Sequence, residues 1–197
     1  FNIEKNIPKH KKIIFSAQRD SLGKNLNKPK WQKGPQKLLE IIKQLPAESV
    51  HLLLAGARRH WLMKKLEESQ IEFTYIGKRV NRDDLMINNI SLEKMNLLYN
   101  LADYYIASSE SEGGPKAIVE AMLCKTMIIS TDVGLAKDFL PKELIYSSSS
   151  DAVTLIKSFL VNKKKEKEII LNNFNRASKL NNFDAAKNRM TDILNFF

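Results

Sequence analysis

Two carboxylates, Glu112 and Glu120, bracket a glycine pair and an apolar run within residues 108–122, SSESEGGPKAIVEAM. Ile118, Ala121 and Met122 recur at helical spacing. Pro115 suits a first helical position, because its fixed φ matches the helix and its missing N–H would have had no intrahelical partner there. The helix is therefore expected to start at Pro115, with Glu112 in the loop that feeds it and Glu120 on its body. Eight residues of helix rise about 12 Å. Even with the loop bent back, the carboxylates should stand farther apart than the roughly 5 to 9.5 Å of a glycosidase acid pair. A ligand that touches both must be long. The helix N-terminus between them offers free N–H groups and a partial positive charge, which suits phosphate. Hydroxyls at both ends and phosphate in the middle describe a nucleotide sugar. Taken alone, the stretch reads equally well as an amphipathic helix carrying one N-terminal and one solvated glutamate.

The elements that must position these residues follow an alternating pattern. Residues 12–17 (KIIFSA) read as a short buried strand, followed by a polar, glycine-containing loop over 18–33 and an amphipathic helical run through Leu38, Leu39, Ile41, Ile42 and Leu45. Residues 50–56 (VHLLLAG) are a near-continuous apolar run of the kind covered on both faces. A helix over 61–69, a strand over 73–77, a helix over 92–101 capped by Ser91 and a strand over 104–107 lead to the glutamate stretch. After it come strands at 127–130 and 144–146, a polar loop at 147–150, a helix over 152–160 capped by Asp151, and helices over 164–180 and 184–197. Strands separated by helical runs imply right-handed crossovers and an α/β fold: a doubly wound, Rossmann-like parallel sheet of about six strands flanked by helices. Ligands of such sheets bind beyond the carboxyl ends of the strands, where the polar loops should converge.

At 197 residues with 43% hydrophobic content, the chain is long enough for one well-filled domain, and residues 1–197 are read as one. Its first residue is Phe1 and not Met, so an excised piece of something longer is expected. No apolar stretch has the length of a signal peptide or a membrane span. One cysteine, Cys124, excludes an internal disulfide, and His10, His51 and His60 form no metal-ligand pattern, so no metal site is expected and a cytoplasmic location fits best. The formal net charge is +10, with basic residues crowded into positions 1–40 and again at Lys163, Lys164, Lys165 and Lys167. A diphosphate ligand, an anionic membrane surface and nucleic acid would each be attracted, and charge alone does not choose among them.

In order along the chain stand Lys33-Gly34 after the first strand, Gly56 after the second, Gly77 after the third, Ala102-Asp103 before the fourth, then SEGGPKAIVEAM and IISTDVG. With this set the chain resembles, from about residue 13 to residue 140, the family 4 glycosyltransferases (glycosyl transferases group 1) of the GT-B fold, and specifically their C-terminal, donor-binding half. The resemblance implies a retaining, metal-independent hexosyltransferase with a nucleotide-diphosphate sugar as donor and no cofactor. The acceptor-holding N-terminal domain would be a missing partner, and the domain alone would transfer little or nothing. Glu112 and Glu120 match the Glu-x7-Glu motif of the family, the first on the donor sugar and the second on the ribose. Lys33 matches the diphosphate lysine, and Arg19 the arginine that accompanies it, with Lys24 or Lys30 as alternatives for that second cation. Gly113 and Gly114 match positions of close backbone approach, leaving the amides of Gly114, Lys116 and Ala117 as phosphate contacts. Gly77 and Lys78 correspond to the loop that lines the base. Residues 181–197 correspond to the helix that crosses back toward the other domain. Two departures stand out: Lys125 where relatives carry a glycine, and Leu135 in place of the second glycine of a Val-Gly-Gly. The alternatives are a nucleotide-sugar epimerase of related fold, or a basic module for nucleic acid or membrane surfaces. A peripheral membrane contact is also compatible with the transferase reading, which expects no nucleic-acid partner.

Overall fold

The computed structural model describes residues 7–114 and 116–180. The helix expected over 184–197 and the helix start expected at Pro115 lie outside the described residues.

Six strands form one sheet in the order β5-β4-β1-β6-β7-β8, and every neighbouring pair is parallel. They are β1 (Lys12–Ser16), β4 (Val50–Ala55), β5 (Phe73–Ile76), β6 (Tyr104–Ala107), β7 (Met127–Thr131) and β8 (Ile145–Tyr146). Every residue of β4, β6 and β7 is buried, as a parallel strand covered on both faces requires. Helices α1 (Pro35–Gln44), α2 (His60–Glu68), α3 (Leu92–Leu101), α4 (Lys116–Leu123), α5 (Ala136–Phe139), α6 (Ser149–Val161) and α7 (Lys163–Leu180) flank the sheet. Helix α1 packs against α2 and α6, while α4 packs against α3 and α7. The expected doubly wound α/β architecture with six strands is therefore the observed one.

Three local expectations are corrected. The segment after β1 is not a plain loop: β2 (Ser21–Leu22) and β3 (Asn25–Pro29) pair as an antiparallel hairpin with an irregular register. Its legs are short, polar and end in Pro29, so no alternating pattern marks them. What holds the hairpin is tertiary. The Asp20 and Ser21 amides donate to the Arg58 carbonyl, both at 3.0 Å, and the Lys30 amide donates to the Asp20 carbonyl at 2.7 Å. The second correction concerns α6, which is capped by Ser148 and not by Asp151. Asp151 is its partner three residues on, completing a reciprocal capping box, so the polar stretch at 147–150 runs into the helix. The third is a 3-10 turn, Trp31–Lys33, that precedes α1.

Lys125 resolves one of the two departures. It takes the left-handed conformation, φ 57°, that a glycine usually supplies at a helix end, at a cost of about 1 kcal/mol. Its ammonium lies 4.7 Å from the centre of the Phe174 ring on α7, a cation–π contact that offsets part of that cost.

Candidate functional site

Strands β1 and β6 are neighbours in the sheet, yet the chain leaves β1 toward β4 and β5 and leaves β6 toward β7 and β8. Their carboxyl ends therefore diverge, and a crevice opens at this topological switch point. A cleft of about 420 Å³ lies there. Gln18 and Arg19 enter it from the end of β1, Lys30 and Lys33 from the hairpin and the 3-10 turn, and Ser109 and Glu112 from the loop after β6. Met95 and Tyr99 of α3, and Lys116, Ala117 and Glu120 of α4, close the other side.

Glu112 is fixed at the centre of this constellation. The Lys33 ammonium and the Ser109 hydroxyl, the latter at 3.0 Å, both bond its Oε1, so Oε2 retains its acceptor capacity. Gln18 bridges the two strands behind it, donating to Ser109 Oγ at 3.3 Å and lying 3.1 Å from Ser108 Oγ. The backbone sets the Lys33–Glu112 juxtaposition. The Glu110 amide donates to the Gln32 carbonyl at 2.9 Å, and the turn into α1 passes so close to β6 that a Cβ on Gly34 would collide with the Ser108 carbonyl. Gly34 also has φ 55°, where a side chain is strained. The Lys33-Gly34 pair is thus explained by packing: the glycine lets the lysine reach the carboxylate.

Three cations surround the same space. Burial, followed by the charges of Lys33, Arg19 and Arg58, pushes the Lys30 ammonium below its usual range. An anion in the cleft would relieve that repulsion. Lys24, next to Gly23 between the hairpin strands, does not line the cleft, whereas Arg19 and Lys30 line it together with Lys33. At the far end, Glu120 Oε2 accepts a hydrogen bond from the Tyr99 hydroxyl at 3.1 Å. Tyr99 is 2% exposed, and its ring sits edge-on to Phe15 and tilted against Tyr105.

Of the residues singled out in the sequence, Arg19, Lys33, Glu112, Gly114, Lys116, Ala117 and Glu120 line this one cleft. Gly113 stands beside it, and a Cβ on Gly113 would meet nothing within 4 Å. The carbonyls of Glu112 and Gly113 rest on Gly134, whose φ is 49° and whose missing side chain leaves room for them. Leu135 is about half exposed, and its Cδ1 lies 3.8 Å from where a Cβ on Gly114 would sit. Gly77 and Lys78 are not brought to the cleft: they follow β5, the outermost strand on that side. The Lys78 amide donates to Asn88 Oδ1 at 2.7 Å, and its carbonyl accepts from Asn88 Nδ2 at 2.9 Å. Gln18, Met95, Tyr99, Tyr105 and Ser109 are cleft residues that sequence reasoning passed over. Gln18 and Ser109 could have been found as the first and the second polar residue after two predicted strands, whereas Tyr99 reads as one more apolar position of its helix.

A second pair of opposite charges lies nearby and is closed to solvent. Arg59 and Asp20 are 0% and 2% exposed, with Nε and Oδ2 3.1 Å apart. Arg59 donates to Ser16 Oγ at 3.0 Å, and Asp20 Oδ1 accepts from Ser21 Oγ at 2.9 Å and from the Leu62 amide at 3.2 Å. Burial pushes the Asp20 carboxyl up and the Arg59 guanidinium down, each opposed by the other's charge. This cluster joins the ends of β1 and β4 to the start of α2.

Among the described residues no group of His, Cys, Asp and Glu side chains comes together in a form that could hold a metal ion, and no helix is long and apolar enough to cross a membrane.

Comparison with known proteins accords with this geometry. Sucrose-phosphate synthase from Thermosynechococcus elongatus superposes with a TM-score of 0.73 at 20% identity, covering 98% of this chain and 47% of that one. Anabaena Alr3699/HepE in complex with UDP and glucose superposes at 0.71 and 17% identity, covering 95% and 49%. The C-terminal domain of the group 1 glycosyl transferase LpcC from Francisella tularensis superposes at 0.66 and 18% identity, covering 89% and 88%. The chain spans about half the length of the first two, so its fold is that of one half of a GT-B glycosyltransferase. No curated protein sequence matches it. The family described as glycosyl transferases group 1 matches residues 2–176, and the chain belongs to that family.

Proposed function

We propose that this chain is the donor-binding half of a retaining glycosyltransferase that takes its sugar from a nucleoside-diphosphate sugar. The observation that carries the reading is the meeting, in one switch-point cleft, of two carboxylates eight residues apart with the cations Lys33, Lys30 and Arg19. Lys33, supported by Arg19 or Lys30 and by the N-terminal amides of α4, holds the diphosphate. Gly113 and Gly114 let the backbone approach it. Glu112, through its unengaged oxygen, orients the sugar, and Glu120 orients the ribose. As the glycosidic C–O bond breaks, its electron pair leaves with the diphosphate, and fixed positive charge stabilises what accumulates there. The hydroxyl of a glycan or lipid-linked acceptor, presented by a second domain, forms the new bond on the same face and passes its proton to the departing diphosphate. Side-chain cations do the neutralising in this reading, with no resident metal or cofactor. It includes a cytoplasmic site of action, at or near an anionic membrane face. HepE, whose complexes hold UDP and UDP-glucose, makes UDP the first ligand to try.

The test is a thermal-shift panel of UDP, GDP, ADP and their sugars. One nucleotide at 100 times its Kd should stabilise the chain by about 2.7 kcal/mol. At about 2 to 4 °C per kcal/mol for a chain of this size, Tm should rise by roughly 5 to 10 °C. No shift with any of them would sink the reading. Binding that instead collapses steeply with salt and extends to nucleic acid would favour a basic surface module. Consumption of a nucleotide sugar without any acceptor would favour an epimerase.

A further inference from the structure

Tyr99 is a polar group with an unusual setting. It sits on α3, buried at 2% exposure, in a tight aromatic cluster with ring centroids 5.3 Å from both Phe15 and Tyr105. Its backbone is anchored as well, because its carbonyl accepts from the Thr126 hydroxyl at 2.7 Å. A ring held on this many sides has one orientation, and that orientation delivers the hydroxyl to Glu120 Oε2 at 3.1 Å. Packing alone would be met by phenylalanine. Glu120 lies on α4, on a different element, and a glutamate there has three rotatable bonds by which to leave the cleft.

We propose that Tyr99 is a positioning residue, fixing the Glu120 carboxylate so that Oε1 faces the ribose end of the donor. This rests on the donor-binding reading of the cleft. One oxygen of Glu120 is occupied by a donor that cannot move, and the other is thereby aimed. Burial first, then the neighbouring Tyr105 phenol and the Glu120 charge, hold the Tyr99 phenol protonated far above its ordinary range, so the donor is permanent at any working pH. A carboxylate aligned beforehand accepts two vicinal ribose hydroxyls without first losing rotamer freedom, which is where the affinity gain lies. Tyr99 also belongs to the wall itself, since it lines the cleft beside Tyr105.

The experiment uses whichever of UDP, GDP and ADP binds the unaltered chain most tightly, together with its 2′,3′-dideoxy analogue, and measures both affinities by calorimetry in Tyr99→Phe, Glu120→Ala and the double variant. Tyr99→Phe should weaken the ribonucleotide about 5- to 10-fold, the net size of one ordinary hydrogen bond, because the lost contact acts through Glu120 and not on the ligand itself. It should leave the dideoxy analogue within about 2-fold, on the same principle that only the missing hydroxyls use the contact. In the Glu120→Ala background the Tyr99→Phe effect should vanish, because the carboxylate through which the proposed positioning acts is gone. Equal losses for the two nucleotides, or a loss that persists without Glu120, would mean that Tyr99 merely shapes the wall. Loss on Glu120→Ala with none on Tyr99→Phe would overturn the Tyr99 role and leave the donor reading intact. No effect of Glu120→Ala, or no nucleotide bound by the unaltered chain, would overturn both.

Discussion

Arg59–Asp20 and Lys33–Glu112 are both pairs of opposite charge at the carboxyl end of the same sheet, and they differ in one respect that decides their use. The first is closed to solvent, with side chains 0% and 2% exposed; the second opens on the cleft, with 27% and 22%. Desolvated charges hold together through each other and through fixed partners, here Ser16, Ser21 and the Leu62 amide, although Arg59 Nε and Nη1 and Asp20 Oδ2 have no hydrogen-bond partner among the described residues. Around Glu112 the corresponding donors, Lys33 and Ser109, use one carboxylate oxygen and leave the other, beside a cleft of about 420 Å³. The same chemistry is therefore structural on one side of β1 and available to a ligand on the other. Burial, and not residue type, draws the line.

That contrast can be broken by substitution, and the largest effect should come from the closed pair. Arg59→Ala strands the Asp20 carboxylate without its partner and should cost about 3 to 5 kcal/mol in urea unfolding. A loss under about 1 kcal/mol would show that the pair is not the joint described here. Lys33→Ala should do the reverse. Unfolding should change by less than about 1 kcal/mol, as for other partly solvated pairs, whereas nucleoside-diphosphate affinity should fall roughly 10- to 100-fold, the size of one lost charged contact of about 1.5 to 3 kcal/mol. An equal loss for the nucleoside without phosphates would count against a diphosphate contact.

Two glycines sharpen the comparison further. Gly134→Ala must place a Cβ against the Gly113 carbonyl at a positive φ, so stability should fall by about 1 to 3 kcal/mol and ligand binding with it. Gly113→Ala meets no protein atom within 4 Å, so the unfolding midpoint should stay within about 0.5 kcal/mol of the original. Nucleotide affinity should nonetheless drop, because the new methyl occupies space the backbone leaves open. If Gly113→Ala binds nucleotide normally, the backbone approach assigned to it is wrong. The smallest change should be Lys125→Gly. Relief of about 1 kcal/mol of left-handed strain is set against loss of a cation–π contact worth about 0.5 to 1 kcal/mol. A melting temperature displaced by more than about 3 °C in either direction would show that one of the two terms has been misjudged.

Much of the site was legible because its signals are local. The alternation of VHLLLAG, YYIA and MIIS with helical runs specifies a parallel sheet, since a strand covered on both faces must be apolar throughout. Glu112, Gly114, Lys116, Ala117 and Glu120 lie within nine residues of one another, so a single loop-and-helix stretch carries them to the cleft. The hairpin β2–β3 was not legible, because its stability comes from bonds to the Arg58 carbonyl far along the chain. Nor was the distance between the loop at Gly77 and Lys78 and the cleft. Gly77 and Lys78 follow a strand as the other loops do, but only the strand order shows that β5 lies two strands from β1.

The sequence by itself determined the α/β class, the strand count and the glutamate stretch at a helix start, because hydrophobic periodicity and turn residues act within a few positions. Only the tertiary structure decided which charges meet. It paired Lys33 with Glu112 across a sequence separation of 79, set Tyr99 against Glu120, and shut Arg59 with Asp20 away from water. Whether a charged side chain cements a fold or awaits a ligand depends on the solvent left around it, and that is fixed when the sheet order brings distant strand ends together.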